Sequence, residues 1–202
     1  MLSYIIWPIV GYLAGSIPTG VWYSTYRHAV DVRELGSHNS GATNIGRNFG
    51  KKAAIFVTLV DLLKGAIPFY LAHHLYPQIS LIWMSVALAA VLGHAYPLFA
   101  DFRGGKVVAT SIGILLAYHF TTGLIMVALF GLILWLSSTV SLASMLSYSL
   151  TSIGLLIFVN DKVVGIGFVL MALFMCYRHR ANIGRLMMGN ENRVGFGLRS
   201  RK

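Results

Sequence analysis

Long apolar stretches alternate with short polar ones along this chain, at intervals that suit membrane helices. A helix needs about 20 apolar residues to cross a hydrocarbon core of about 30 Å. On that measure the pattern predicts seven spans, near 3–25, 53–73, 79–98, 107–119, 122–137, 141–159 and 163–178. Positions 107–137 are too few for two full-length spans without tilt or thinning, and would otherwise form one long helix. Charge decides between the counts. Seven spans put Arg27 to Lys52, Asp101 to Lys106, the Ser137 to Ser141 link and the tail from Arg178 on one side. That side holds 14 of the 16 Lys and Arg. The turns His73 to Gln78, Tyr118 to Thr122 and Asn160 to Lys162 hold only Lys162, and Lys64 lies inside a span. Cationic loops stay in the cytoplasm. The expected fold is therefore an all-α integral membrane protein of seven transmembrane helices, with its N-terminus outside and its C-terminus cytoplasmic. Six spans would leave the Arg-rich tail outside.

Composition removes other classes. Of 202 residues, 56% are apolar and 11% charged, too little polar surface for a soluble domain. The net charge of +10 fits positive-inside loops facing anionic lipid, so no nucleic-acid partner is expected. No Lys or Arg precedes Arg27, so residues 2–26 read as a permanent span, not a cleaved signal. Cys176 is the only cysteine, which excludes a disulfide within the chain. The seven His show no metal-ligand spacing, and no metal or organic cofactor is expected. Asp61 and Lys64, three apart in the second span, share a helical face. They read as an internal brace, or as a cation extending the floor of a cytoplasmic cavity.

Three cytoplasmic loops carry anion chemistry. The first, Gly36 to Arg47, gathers Ser37, Asn39, Gly41, Thr43 and Asn44 and closes with Arg47. Glycines let a backbone approach a ligand, hydroxyls and carboxamides add neutral hydrogen bonds, and Arg adds a bidentate cation. That set suits a phosphate, though its composition also fits a mobile polar loop. The second runs from Gly93 and His94 through Gly104, Gly105 and Lys106 to Thr110, just before a predicted helix start. A helix N-terminus with glycines and a Lys is an anion site, although a juxtamembrane Lys is often only a topology signal. The third follows the last span and holds His179 and Asn182, three apart. Ser141 and Ser144, also three apart, open the sixth span and otherwise read as helix-packing residues. Three such loops on one face point to a pocket for phosphate-bearing, amphipathic substrates.

Together the motifs G-S-x-N-x-G-A-T-N (36–44), D-L-L-K-G-x-x-P (61–68), G-H-x-Y-P (93–97), G-G-K-x-V-A-T (104–110), V-S-L-A-S (140–144) and R-H-x-x-N-I-x-R-L (178–186) span the chain. In this it closely resembles the bacterial acyl-phosphate:glycerol-3-phosphate acyltransferases of the PlsY type. The resemblance implies one membrane-embedded domain over 1–202 in the bacterial inner membrane, acting as a monomer with its active site at the cytoplasmic face. It implies acyl transfer from acyl phosphate to the 1-hydroxyl of glycerol 3-phosphate, giving lysophosphatidic acid and phosphate. Ser37, Asn39, Thr43, Asn44 and Arg47 match the family's first motif, and Gly104, Gly105 and Lys106 its phosphate loop. Ser141 or Ser144, with His179 and Asn182, match the glycerol 3-phosphate side. Gly41, Lys64 and His94 fall within the matching motifs as further binding residues. Where the family often has Gly, this chain has His38 and Val107.

Acyl phosphate is a mixed anhydride, so the alcohol can attack without a protein nucleophile. The sequence assigns the leaving phosphate to Arg47, Lys106 and the Gly104 and Gly105 amides. Asn39, Thr43 and Asn44 polarise the carbonyl or brace the loop. His179 and Asn182 orient the acceptor, and the base is either His179 or a substrate phosphate oxygen. The H-x-x-x-x-D dyad of other glycerolipid acyltransferases is absent. A transporter of anions or phosphate esters is the competing class, but it would need polar or broken helices along a continuous path.

Overall fold

The structure, a computed structural model, describes residues 1–200. All regular structure among them is helical. The helices fall into two compact units, residues 1–118 and residues from 119 onward.

The first unit contains α1 (Ser3–Gly15), α2 (Thr19–His28), α3 (Ala42–Phe49), α4 (Lys51–Leu75), α5 (Ser80–Ala95) and α6 (Val108–Tyr118), with short 3-10 turns at Val32–Glu34 and Leu98–Ala100. α1 lies against α5, where Gly11 and Gly15 let its backbone meet the backbones of Val86 and Ala90. Such close crossings are how helices pack in lipid, where dispersion replaces the hydrophobic effect.

The first predicted span is present but broken. Pro18 lacks an amide hydrogen and ends α1 at Gly15, so α2 restarts at Thr19. A broken helix leaves polar backbone groups unpaired inside the membrane. Here Lys64 Nζ donates to the Ile17 carbonyl at 2.7 Å, and the Thr19 hydroxyl donates to Asp61 Oδ1 at 2.9 Å. Lys64 and Asp61 pair at 2.7 Å, with side chains 3% and 4% exposed. Of the two sequence readings of this pair, this geometry fits the brace: at the break Lys64 shares the Ile17 carbonyl with the Thr19 amide, which donates at 3.0 Å.

The second unit contains α7 (Phe120–Ser137), α8 (Val140–Phe158), α9 (Lys162–Arg178) and α10 (Arg180–Met187). A left-handed Ser138 (φ 55°) turns α7 into α8. The tail folds back on that turn, with the amides of Val194 and Leu198 donating to Ser138 and Trp135 carbonyls, each at 2.8 Å.

The predicted segments between 107 and 137 are two helices, not one, and His119 caps the second by accepting from the Thr122 amide. Five segments are long and apolar enough to cross a membrane: Ser3–His28, Lys51–Leu75, Ser80–Ala100, Phe120–Ser137 and Val140–Phe158. α9 and α10, bent by 61°, make a sixth where the pair counts as one span. α6 falls short of the expected full span. Its 11 residues reach about 16 Å at 1.5 Å each.

Candidate active site

In the first unit the polar loop is organised by one side chain. Asn44 is fully buried in the first turn of α3. Its Nδ2 lies 3.0, 2.9 and 3.0 Å from the carbonyls of Val32, Leu35 and Asn39. Its Oδ1 accepts the Ser37 amide at 3.0 Å. With its amide so committed, Asn44 shapes the loop and does not polarise a substrate carbonyl. Ser37 and Asn39 are held half-buried on this frame, Gly41 caps α3, and Thr43 and Arg47 are exposed. Arg47 makes no hydrogen bond or ion pair among the described residues, so its guanidinium is an available cation.

The Gly-rich segment differs from its expected use. The Gly104 and Gly105 amides donate to the carbonyls of Ala95 and His94, each at 3.1 Å. Those carbonyls end α5 and have no partner within the helix. The amides therefore close α5 and are not presented to a phosphate. Glycine at 105 answers a steric need instead, because a Cβ there would collide with the His94 imidazole. His94 itself is buried, with Nδ1 3.1 Å from the Thr110 hydroxyl and 3.9 Å from Asp61 Oδ1. Gly105→Ala is expected to destabilise the protein by about 1–3 kcal/mol, the usual cost of overpacking, read as a lowered Tm. Val107 takes a left-handed backbone (φ 62°), unusual for a β-branched residue, and its side chain is fully buried. Burial offsets a strain of about 1–2 kcal/mol. Lys106 is half-buried, two residues before α6.

A residue the sequence reading passed over joins these two segments. Arg33 pairs with Asp31 at 2.7 Å and donates to the carbonyls of Ala100 and Arg103 at 2.7 and 3.1 Å. An Asp-x-Arg pair just ahead of Gly36 was the available signal.

The second unit gathers Ser141, Asn182 and Arg185 around Glu191. Ser141 Oγ and Asn182 Nδ2 donate to Glu191 Oε1 at 2.9 and 2.6 Å, and Arg185 Nε to Oε2 at 2.7 Å. Ser144 instead donates to the Val140 carbonyl of its own helix at 2.6 Å. Of the two serines, Ser141 therefore groups with Asn182. Glu191 was also passed over, although it is the acidic residue between Arg185 and Arg193 in a basic tail. His179 is buried at the bend between α9 and α10, with Nδ1 2.9 Å from the Met175 carbonyl. A carbonyl only accepts, so Nδ1 carries a proton, and in the neutral ring the lone pair is on Nε2.

Partial burial pushes the Glu191 carboxyl up, but hydrogen bonds from Asn182, Arg185 and Ser141 and the Arg185 charge outweigh it. The net shift is below its ordinary value of 4.5. A carboxyl depressed by folding stabilises above its unfolded value and loses that contribution as pH falls through the folded one. Tm is expected to decline below about pH 4.5, and Glu191→Gln to remove that part of the decline, followed by thermal melts across pH.

Among the described residues no three His, Cys, Asp or Glu are grouped to hold a metal ion.

The family model described as glycerol-3-phosphate acyltransferase matches residues 5–189. A glycerol-3-phosphate acyltransferase of Listeria welshimeri is 39% identical, with 96% of this chain and 98% of the relative covered. One of Enterococcus faecalis is 39% identical over 100% of this chain and 96% of the relative. The crystal structure of PlsY, an integral membrane glycerol 3-phosphate acyltransferase, in its glycerol 3-phosphate form is 37% identical, with a TM-score of 0.91 over 96% of both chains. The lysophosphatidic acid form gives a TM-score of 0.88 at 36% identity.

Proposed function

Because the chain belongs to the glycerol-3-phosphate acyltransferase family, we propose that it acylates the 1-hydroxyl of glycerol 3-phosphate from acyl phosphate. The products are lysophosphatidic acid and inorganic phosphate. The observation that carries this reading is the likeness to PlsY in its glycerol 3-phosphate form, over nearly all of both chains. A transporter is not favoured, since the matched relatives are acyltransferases along their whole length.

The chemistry needs little beyond positioning and charge. The acceptor hydroxyl oxygen attacks the acyl carbonyl, and the tetrahedral oxyanion collapses with loss of phosphate. The hydroxyl proton leaves to a base. Arg47 and Lys106 supply cations for the departing phosphate, on the frame set by Asn44. Ser37, Asn39 and Thr43 supply neutral donors for the oxyanion. Ser141 and Asn182 receive the glycerol 3-phosphate. Neutral His179 has the tautomer a base requires, and the alternative acceptor is a substrate phosphate oxygen. His179→Ala separates the two. Lost turnover at unchanged KM assigns the proton to His179, whereas raised KM at retained kcat assigns it a binding role.

Seven spans are kept in this reading, with the N-terminus outside, the C-terminus cytoplasmic and the protein acting as a monomer in the bacterial inner membrane. The short α6 then crosses only with local thinning or inside protein. The 14 Lys and Arg of the cytoplasmic loops support that orientation.

Donor identity is tested by giving purified protein palmitoyl phosphate and, in parallel, palmitoyl-CoA, each with glycerol 3-phosphate. Product from the phosphate alone is expected. Product from the thioester at a similar rate would overturn the donor assignment.

A further inference from the structure

We propose that Arg33 is a positioning residue for acyl transfer, fixing the segment that carries Lys106 to the loop and helix that carry Arg47. This role rests on the proposed acyltransferase activity.

Every nitrogen of the guanidinium has a partner inside the protein. Nε and Nη2 grip the Asp31 carboxylate at 2.9 and 2.7 Å, and Nη2 reaches Asp101 Oδ2 at 3.7 Å. Nη1 holds the carbonyls of Ala100 and Arg103 at 2.7 and 3.1 Å. The side chain is 10% exposed. It is therefore not a cation waiting for substrate, unlike Arg47.

What it holds is strained. Asp101 and Phe102 are successive left-handed residues, at φ 54° and 55°, and neither is glycine. A Cβ disfavours that backbone region, so two such residues in a row persist only with support from outside the turn. Arg33 takes the carbonyls on both sides of this pair. Gly104, Gly105 and Lys106 come directly after Arg103, so the path of the turn sets where Lys106 stands.

The other end of the clamp is as well tied. Asp31 caps the turn at Val32–Glu34 by accepting the Arg33 amide at 2.8 Å. The Val32 carbonyl is held by Asn44 of α3, the helix that carries Arg47. His38 Nδ1 lies 3.0 Å from the Arg33 carbonyl. The hydrogen bond to Asp31 raises the Arg33 pKa, so the clamp is charged at every working pH. One chain of bonds thus links the two segments bearing the cations assigned to the leaving phosphate. A lysine cannot replace it: one ammonium offers three donors at a point, where carboxylate and two carbonyls need a planar fork.

The test compares wild type, Arg33→Ala, Arg33→Lys and Asp31→Asn, with KM for acyl phosphate, kcat and Tm measured together. An inactive wild type would overturn the acyltransferase reading, and the clamp with it; a defect confined to the variants concerns the clamp alone. With wild type active, Arg33→Ala is expected to raise KM for acyl phosphate and lower kcat, each by about tenfold, as small misplacements do. Arg33→Lys is expected to recover little. Added guanidinium is expected to restore Arg33→Ala several-fold, and methylammonium is not. Kinetics within twofold of wild type in folded Arg33→Ala would overturn the proposal. So would full recovery in Arg33→Lys, or a loss that guanidinium leaves untouched. If Arg33→Ala does not fold, Asp31→Asn decides: a raised KM supports the clamp, and unchanged kinetics overturn it.

Discussion

Arg47→Ala is expected to lower kcat/KM for acyl transfer by about 10²–10³-fold, the range for loss of one preorganised donor to a developing anion. The expectation comes from how differently Arg33 and Arg47 are used. Arg33 uses its fork inside the protein, on Asp31 and two carbonyls. Arg47 stands exposed on α3, with no ion pair among the described residues. Its charge is uncompensated until a phosphate arrives, and the helix it stands on is anchored by Asn44. Charge builds on the leaving phosphate as the carbonyl–oxygen bond breaks, so the interaction strengthens toward the transition state and kcat falls as well as affinity. Arg47→Lys keeps the charge and loses the bidentate geometry, and is expected to fall between the two. Tm is expected to stay at the wild-type value, because no internal contact is lost. Steady-state kinetics beside a melt read both. An activity loss matched by a lowered Tm would instead mark Arg47 as structural.

Lys64→Met is expected to have the largest effect on stability, about 3–5 kcal/mol, the cost of leaving one member of a buried pair charged and alone. Asp61 would keep the Thr19 hydroxyl, with His94 at 3.9 Å, and the Ile17 carbonyl would keep only the Thr19 amide. The double variant Asp61→Asn with Lys64→Met removes the stranded charge and is expected to recover most of the loss. It will not recover all of it. The hydrogen bond from the ammonium to the Ile17 carbonyl stays lost, at about 1.5–3 kcal/mol for a bond from a charged donor. Melting of single and double variants in one detergent checks the order. A double variant no more stable than Lys64→Met would contradict the brace and return Lys64 to a substrate-facing role.

The helices were legible in the sequence because apolar length and charge placement report on lipid directly. The break between α6 and α7 at His119 was read from the same signals. The break after α1 was not, since proline is tolerated in membrane helices and Pro18 lies well inside the predicted 3–25 span. At that break the bond from Lys64 to the Ile17 carbonyl spans 47 positions, which no local pattern reveals.

Residue types located the site segments, but the use of each polar group depended on its neighbours. Gly104 and Gly105 read as an anion cradle, yet the nearest unpaired acceptors are the last carbonyls of α5, and these take the amides. Ser141 and Ser144 are equivalent by helical spacing. They differ only because Glu191 reaches one of them. Glu191 and Arg33 were hidden for one reason: each works through a long-range contact, and in the sequence each reads as an ordinary loop charge.

The most direct measurement is the product balance of the purified protein given palmitoyl phosphate with and without glycerol 3-phosphate. Inorganic phosphate and lysophosphatidic acid are predicted to appear in equal amounts, both only with the acceptor, and with the acyl group on the 1-oxygen. Folded protein that releases no phosphate in response to glycerol 3-phosphate would contradict the account.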